Sequence, residues 1–153
     1  GWVGQFYDRM YAMLAEGVPL VSGITDVLDR LDAAGVPYAM GSNGSLEKMQ
    51  ITLGQHGLMH RFRVVLSGQA LGNPKPAPEV YLAPAKACGA LPEACVVIED
   101  SASGAKAGLA AGMRCLGYTE HGPDTPMARQ LAALGVPLFH RMEELPGLLG
   151  LDG

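Results

Sequence analysis

The sequence has no run of basic residues and no long apolar stretch. Lysine and arginine number 11 against 15 aspartates and glutamates, which gives a formal net charge of −4. This balance argues against nucleic acid and against an anionic membrane as partners. No stretch approaches the ~20 apolar residues that span a bilayer, and no signal peptide is recognised. We therefore expect a protein that binds neither nucleic acid nor membranes.

Cysteine is also scarce, with only Cys88, Cys95 and Cys115, and these show no C-x-x-C spacing. An odd number of unclustered cysteines favours free thiols in the core and a reducing compartment over a disulfide framework. The four histidines lack zinc-type spacing, and no serine or cysteine has a convincing base partner. These features predict a cytoplasmic protein without a zinc site or a serine or cysteine nucleophile.

What the sequence does contain is an alternation of strand and helix patterns over 153 residues, 48% of them hydrophobic. About five predicted strands separated by helices favour a single α/β fold, with a parallel sheet between helical layers and right-handed crossovers. At the amino terminus, apolar residues at helical spacing predict an amphipathic helix over residues 2–16. The stripe of that helix comprises Trp2, Phe6, Met10, Met13 and Leu14.

An acidic pair follows the most apolar of the predicted strands. Glu99 and Asp100 come directly after a Val-Val-Ile run, before a helix predicted over residues 103–111. Ligands of open α/β sheets bind at the carboxyl ends of strands, and Mg²⁺ prefers carboxylate oxygens there. The alternative is that Asp100 or Ser101 only caps the next helix.

Two further polar features follow other strands. Ser42 and Asn43 lie on a strand-to-helix turn, where free backbone N–H groups can meet an anion, although a plain turn explains them equally. Lys75 lies between prolines in a stiff loop, where it is either a presented cation or a solvated lysine. Because carboxyl ends of parallel strands meet at one edge, we expect Ser42, Lys75 and the acidic pair to converge.

Three stretches carry a resemblance to the haloacid dehalogenase-like (HAD) hydrolases, in the subgroup of phosphoglycolate phosphatases and β-phosphoglucomutase. Gly-Ser-Asn at 41–43 is similar to the second motif of that family. The run from Asn73 to Leu82 is similar to the third, and Val-Ile-Glu-Asp-Ser at 97–101 with Gly104 and Gly112 is similar to the fourth. Order and spacing agree over roughly residues 18–120.

The resemblance implies a role for each of these residues. Ser42, with Asn43, would bind the transferred phosphoryl group, and Lys75 would neutralise its charge. Asp100, with Glu99, would hold Mg²⁺. Such an enzyme is a Mg²⁺-dependent phosphatase that acts on a small phosphorylated metabolite through an aspartyl-phosphate, and phosphoryl transfer of this kind depends mainly on positioning and charge neutralisation.

The sequence departs from the family in one respect: it contains no Asp-x-Asp, the motif that supplies the nucleophile from the central strand. We therefore expect the central first strand to be absent, residues 1–17 to be a remnant of the helical cap, and residues 18–153 to form the core. The chain alone should then lack turnover. Two exposed strand edges would need a partner, so that the chain closes the gap, self-associates or is poorly stable.

Other functions fit the sequence less well. A non-catalytic module that binds phosphate or a protein would retain the same residues without the nucleophile. A phosphomutase or a 2-haloacid dehalogenase belongs to the same superfamily, but dehalogenation needs no metal and leaves the acidic pair unexplained. A dinucleotide-binding domain is disfavoured because no G-x-G-x-x-G follows a strand.

Overall fold

The computed structural model describes residues 10–15, 18, 21, 23–42, 46–55, 62, 64–67, 72, 75, 77–119, 122 and 124–150. The strands in this part of the chain are β1 Tyr11–Ala15, β2 Tyr38–Ser42, β3 Val64–Ser67, β4 Cys95–Glu99, β5 Arg114–Tyr118 and β6 Leu138–Phe139. These six strands are parallel and form one sheet in the order β3-β2-β1-β4-β5-β6. The predicted parallel α/β fold is confirmed, with one more strand than the sequence suggested.

Helices connect successive strands, as parallel pairing requires. They are α1 Ile24–Ala33, α2 Leu46–Gln55, α3 Glu79–Ala87, α4 Ala102–Ala110, α5 Pro126–Ala133 and α6 Leu145–Leu148, with short 3₁₀ turns at Pro92–Ala94 and Met142–Glu144. Apolar residues of α3, α4 and α5 pack on one face of the sheet, and those of α1, α2 and α6 on the other. The domain therefore has three layers. Among the described residues, no helix has the length and apolarity needed to cross a membrane.

The amino-terminal prediction is wrong over residues 11–15. This segment is a strand rather than a helix, and it lies at the centre of the sheet, paired with β2 on one side and β4 on the other. Successive side chains point to opposite faces of a strand, so that Met13 packs in one core cluster and Leu14 in the other. A short apolar run is compatible with either a helix or a strand that is buried on both faces. Here the segment forms a strand, because the facing backbone groups of β2 and β4 would otherwise be unpaired.

The central strand is consequently present, and the expected gap is closed by the chain itself. With β1 paired to both β2 and β4, self-association is not needed to cover the edges of these two strands. Residues 11–15 belong to the core sheet, whereas residues 1–9, assigned to a cap remnant, lie outside the described residues. Tyr11–Ala15 contains no carboxylate, so β1 takes the central position without bringing an aspartate into it.

Helix α3 contains Pro84, and a proline inside a helix usually kinks the helix or delays its start. The helix nevertheless begins at Glu79 and continues past Pro84 to Ala87. Pro84 cannot donate to the carbonyl of Val80, four residues earlier. The oxygen of Val80 faces the backbone of β2 instead, where a Cβ on Gly41 would come within 2.7 Å of it. Glycine at position 41 therefore permits α3 to lie close to the strand that ends at Ser42.

Candidate active site at the carboxyl edge of the sheet

The carboxyl ends of β2, β1 and β4 lie side by side. In the strand register, Leu14 of β1 is level with Met40 of β2 and with Ile98 of β4. Ser42 and Glu99 therefore end the two strands that flank β1, about 10 Å apart for two strand spacings. This is the edge at which ligands of open α/β sheets bind.

Glu99 is completely buried, and hydrogen bonds engage both of its carboxylate oxygens. The Nζ of Lys75 and the hydroxyl of Tyr81 donate to Oε2, at 2.7 and 2.5 Å. The backbone N–H groups of Asp100 and Ser101 donate to Oε1 at 3.0 and 3.3 Å, and the hydroxyl of Ser101 donates to it at 3.1 Å. Five donors offset the cost of burying this charge and fix the orientation of the carboxylate.

Lys75 is not the solvated loop lysine that its local sequence allows. Its side chain is only 6% exposed, and its ammonium group forms a salt bridge to Glu99. The same nitrogen lies 5.1 Å from the centroid of the Tyr81 ring, within range of a cation–π interaction. The lysine and the acidic pair, 24 residues apart in sequence, are thus brought together as expected.

Asp100 extends beyond the strand and is exposed, unlike Glu99. Desolvation of its carboxyl group and then the negative charge of Glu99 raise the pKa of Asp100 to about 6. A carboxylate whose ionisation is disfavoured in this way gains from a nearby cation. The described residues contain no group of three or more His, Cys, Asp or Glu side chains that could hold a metal. One exposed carboxylate, supplemented by water and substrate oxygens, still suits Mg²⁺.

Ser101 is the amino-terminal cap of α4. The sequence alone allows either Asp100 or Ser101 to cap this helix. The hydroxyl of Ser101 accepts a hydrogen bond from the N–H of Gly104 at 3.2 Å and also donates to Glu99. Asp100 is therefore not needed as the cap of α4.

Ser42 is the last residue of β2 and pairs with Ser67 of β3 in the register. The position of Ser42 at the carboxyl edge agrees with the prediction. Its side chain and all of Asn43 lie outside the described part of the structure. The phosphate-binding role of these two residues stays a prediction.

Sequence reasoning did not single out Tyr81 as part of the site. Tyr81 is fully buried in α3, and burial followed by the charge of Glu99 raises its pKa well above the usual tyrosine value, so that the phenol remains a donor. A buried phenol needs a hydrogen-bond acceptor. A tyrosine in an otherwise apolar helix indicates a buried phenol, and the need for an acceptor is the signal by which the sequence could have pointed to Tyr81.

A second polar pair joins the ends of the outer strands. The Nδ1 of His140, after β6, lies 2.5 Å from the Oγ1 of Thr119 and 3.0 Å from its carbonyl oxygen. Thr119 is buried directly after β5. These contacts give His140 a structural role between β5 and β6.

The sequence of the chain and its three-layer parallel α/β fold both match known proteins. The sequence profile of the haloacid dehalogenase-like hydrolases matches residues 2–118. The chain belongs to this family.

Individual relatives are longer than this chain. It is 30% identical to the protein CbbY of Cereibacter sphaeroides over 95% of this chain and 63% of that protein. It is also 30% identical to a phosphoglycolate phosphatase of Xylella fastidiosa, over 88% of this chain and 60% of that protein. A HAD family hydrolase of Deinococcus radiodurans, solved with bound phosphate and sodium, superposes with a TM-score of 0.75 at 36% identity, covering 86% of this chain and 60% of the other. The chain thus spans about three fifths of the length of these relatives.

Proposed function

We propose that this chain is the core of a Mg²⁺-dependent phosphatase that acts on a small phosphorylated metabolite. The observation that carries the proposal is the Lys75 ammonium held by Glu99 beside the exposed carboxylate of Asp100. A fixed positive charge beside a cation-binding carboxylate suits a phosphoryl group, whose transfer depends on neutralising oxygen charge. The names of relatives that are phosphatases support the same class of substrate.

Each residue has a distinct task in this proposal. Lys75 lies against the phosphoryl oxygens and lowers the cost of their negative charge. Asp100 holds Mg²⁺, which when bound supplies charge neutralisation and orients the substrate. Ser42 and Asn43 bind phosphoryl oxygens from the end of β2. Glu99, predicted as a second metal ligand, already accepts five hydrogen bonds, and we assign it the task of holding Lys75 in place.

The aspartyl-phosphate route requires an aspartate that β1 does not contain. We propose that the chain by itself binds phosphate with Mg²⁺ but does not turn over a phosphate ester, and that turnover belongs to a longer protein with an Asp-x-Asp segment. We place that protein in the cytoplasm, since Cys88, Cys95 and Cys115, all in the described part of the chain, form no disulfide.

The first test is binding of inorganic phosphate to the 153-residue chain, measured by calorimetry with and without Mg²⁺. We expect binding that depends on Mg²⁺ and is lost in Asp100→Asn. Glu93→Gln neutralises an exposed carboxylate before the opposite end of β4 and should leave binding unchanged. No binding at millimolar phosphate and Mg²⁺, or equal losses in both variants, would contradict the proposal.

The second test concerns turnover. The coding DNA upstream of residue 1 is sequenced, and any in-frame extension containing Asp-x-Asp is expressed with the chain. We expect Mg²⁺-dependent hydrolysis of para-nitrophenyl phosphate that disappears in Asp100→Asn, and none from the 153 residues alone. Mg²⁺-dependent hydrolysis by the 153-residue chain would overturn the proposed need for a longer protein.

The apolar composition of β1 favours one alternative, a non-catalytic domain that binds phosphate or a protein partner. Such a domain would bind inorganic phosphate as above. It would show no hydrolysis even in the longest in-frame protein, which separates it from the phosphatase.

A further inference from the structure

We propose that Tyr81 is a positioning residue, whose hydroxyl and ring together aim the Lys75 ammonium at the bound phosphoryl group. The inference rests on the proposed function and extends it by assigning a task to a residue outside the predicted site. It is carried by the contacts that Tyr81 makes with Glu99, with Lys75 and with the backbone of β2.

The hydroxyl of Tyr81 and the ammonium of Lys75 share a single acceptor, Oε2 of Glu99, at 2.5 and 2.7 Å. The other oxygen, Oε1, accepts hydrogen bonds from Asp100 and Ser101, which immediately precede α4. The carboxylate therefore cannot rotate without breaking bonds at both oxygens. Because Tyr81 occupies part of the space around Oε2, it limits the directions from which Lys75 approaches that oxygen.

The ring of Tyr81 makes a second contact with the lysine. The Nζ of Lys75 lies 5.1 Å from the ring centroid, so that the ammonium contacts both the aromatic ring and the carboxylate. Lys75 comes from a loop, whereas Tyr81 is fully buried in a helix. The rigid element thus determines where the charge of the loop residue is placed.

The same ring packs on the strand that leads to the predicted phosphate-binding residues. A Cβ on Gly41 would lie 3.1 Å from Cε1 of Tyr81, so the ring packs tightly against the backbone one residue before Ser42. Tyr81 therefore spans the site, with its ring beside the end of β2 and its hydroxyl at the end of β4. This one side chain therefore contacts the carboxylate that holds Lys75, the Lys75 ammonium itself and the backbone that leads to Ser42.

A purely structural role for the hydroxyl, as a donor that helps to satisfy a buried carboxylate, makes different predictions. Tyr38 provides the matched control, because it is also buried and its hydroxyl donates to a carboxylate oxygen of Asp32, at 3.3 Å. Tyr38 begins β2, at the edge of the sheet opposite the site. Tyr38→Phe removes a hydrogen bond from a buried tyrosine to a carboxylate without touching Lys75.

The first experiment measures the affinity of the 153-residue chain for inorganic phosphate in the presence of Mg²⁺. We expect Tyr81→Phe to weaken binding about tenfold, the factor that a hydrogen bond to a charged group supplies, and Tyr38→Phe to leave it unchanged. In a Lys75→Met background, Tyr81→Phe should have no further effect, because the hydroxyl acts through the lysine. Equal affinities for the two Phe variants, or a Tyr81→Phe effect that persists in that background, would overturn the inference.

The second experiment does not depend on the folding of Tyr81→Phe. 3-Fluorotyrosine is incorporated at position 81 alone or at position 38 alone, and its ¹⁹F resonance is followed as phosphate is added with Mg²⁺. We expect a saturable shift at position 81 and none at position 38. If calorimetry shows that phosphate binds while position 81 does not respond, the positioning role is wrong and the proposed function stands. If the unsubstituted chain binds no phosphate, the proposed function fails and this inference fails with it.

Discussion

Gly104 lies so close to Glu99 that no side chain fits between them. A Cβ built on Gly104 would overlap the carboxyl carbon and Oε2 of Glu99. Gly104 also donates its N–H to Ser101, whose hydroxyl in turn donates to the same carboxylate. Glycine at this helical position is therefore explained by the buried carboxylate, since glycine otherwise weakens a helix.

Gly104→Ala should consequently destabilise the protein, although alanine is the better helix former. We expect a loss of about 2 kcal/mol in the free energy of unfolding, within the range for overpacked cores, together with loss of phosphate binding. Gly54→Ala is the control, because Gly54 lies in α2 with open space around its Cα, and we expect a gain of about 0.5 to 1 kcal/mol there. Denaturant unfolding measures both. Wild-type stability in Gly104→Ala would show that the Glu99 carboxylate is placed elsewhere.

The Lys75–Glu99 pair should behave as a buried ion pair rather than a surface one. Lys75→Met leaves the Glu99 charge without its cation, and we expect a loss of about 3 kcal/mol, the lower end for a broken buried pair. Lys106→Met, at an exposed position of α4, should change the free energy of unfolding by less than about 0.5 kcal/mol.

A double-mutant cycle separates the pair from its surroundings. In the double variant, Glu99→Gln removes the charge that Lys75→Met leaves unpaired. The double variant should therefore lose less free energy of unfolding than the two single variants together, with a coupling of about 1 to 3 kcal/mol. Strict additivity would mean that the two side chains do not interact in solution. The exposed Arg141–Glu143 pair, at 3.9 Å, offers a comparison in which little or no coupling is expected.

The three thiols should differ in reactivity. Burial raises the pKa of Cys95 to about 11 and that of Cys115 to about 12, while Cys88 is partly exposed. We expect iodoacetamide at pH 8 to modify Cys88 first, and the other two only on unfolding, as peptide mass spectrometry can show. Early modification of Cys115 would contradict its burial.

The raised pKa of Cys115 also gives the stability a defined pH dependence. The folded state retains a proton that the unfolded chain releases near the ordinary thiol pKa of 9.0. The unfolded state binds fewer protons between those values, so stability should fall as the pH rises from about 9 toward 12. Cys115→Ala should reduce the steepness of that fall, whereas Cys88→Ala should not. Equal slopes in the two variants would rule out Cys115 as a source of the fall.

Much of this site was predictable because strand ends carry strong local signals. Three apolar residues followed by Glu99 and Asp100 indicated a buried strand ending in two carboxylates, and the structure has that strand as Cys95–Glu99. Thr125 and Pro126 are a second local signal of this kind, because Thr125 caps α5 with its hydroxyl accepting from the N–H of Ala128 and Pro126 begins the helix. Such features depend on neighbouring residues in the sequence, which is why they can be recognised without the fold.

Contacts between distant residues were harder to foresee. Whether Lys75 is solvated or buried depends on Glu99, 24 residues later, and no local pattern around the prolines indicates it. The same holds for Tyr81, which α3 brings to the carboxylate. The role of β1 is a third case, because the apolar spacing of Met10, Met13 and Leu14 fits a helix until the open edges of β2 and β4 compete for the same segment.

That competition makes β1 the element most worth testing. If Tyr11–Ala15 pairs with both neighbours, the amides of Met13 and Leu14 should exchange with deuterium as slowly as those of Val97 in β4, and more slowly than those of the edge strand β3. NMR of the 153-residue chain measures each amide. Rapid exchange over residues 11–15, or helical carbon shifts there, would show that the segment is not the central strand.

Substitution tests the same strand through its packing. Met13 is completely buried, and Met13→Ala should lower the free energy of unfolding by about 2 to 5 kcal/mol, because it leaves a cavity under the helices of one face. Leu109→Ala, at a residue of α4 that is 42% exposed, should cost far less. Similar costs for the two variants would place Met13 outside the core. The chain would then have to satisfy the edges of β2 and β4 in another way, since buried backbone groups cannot remain unpaired.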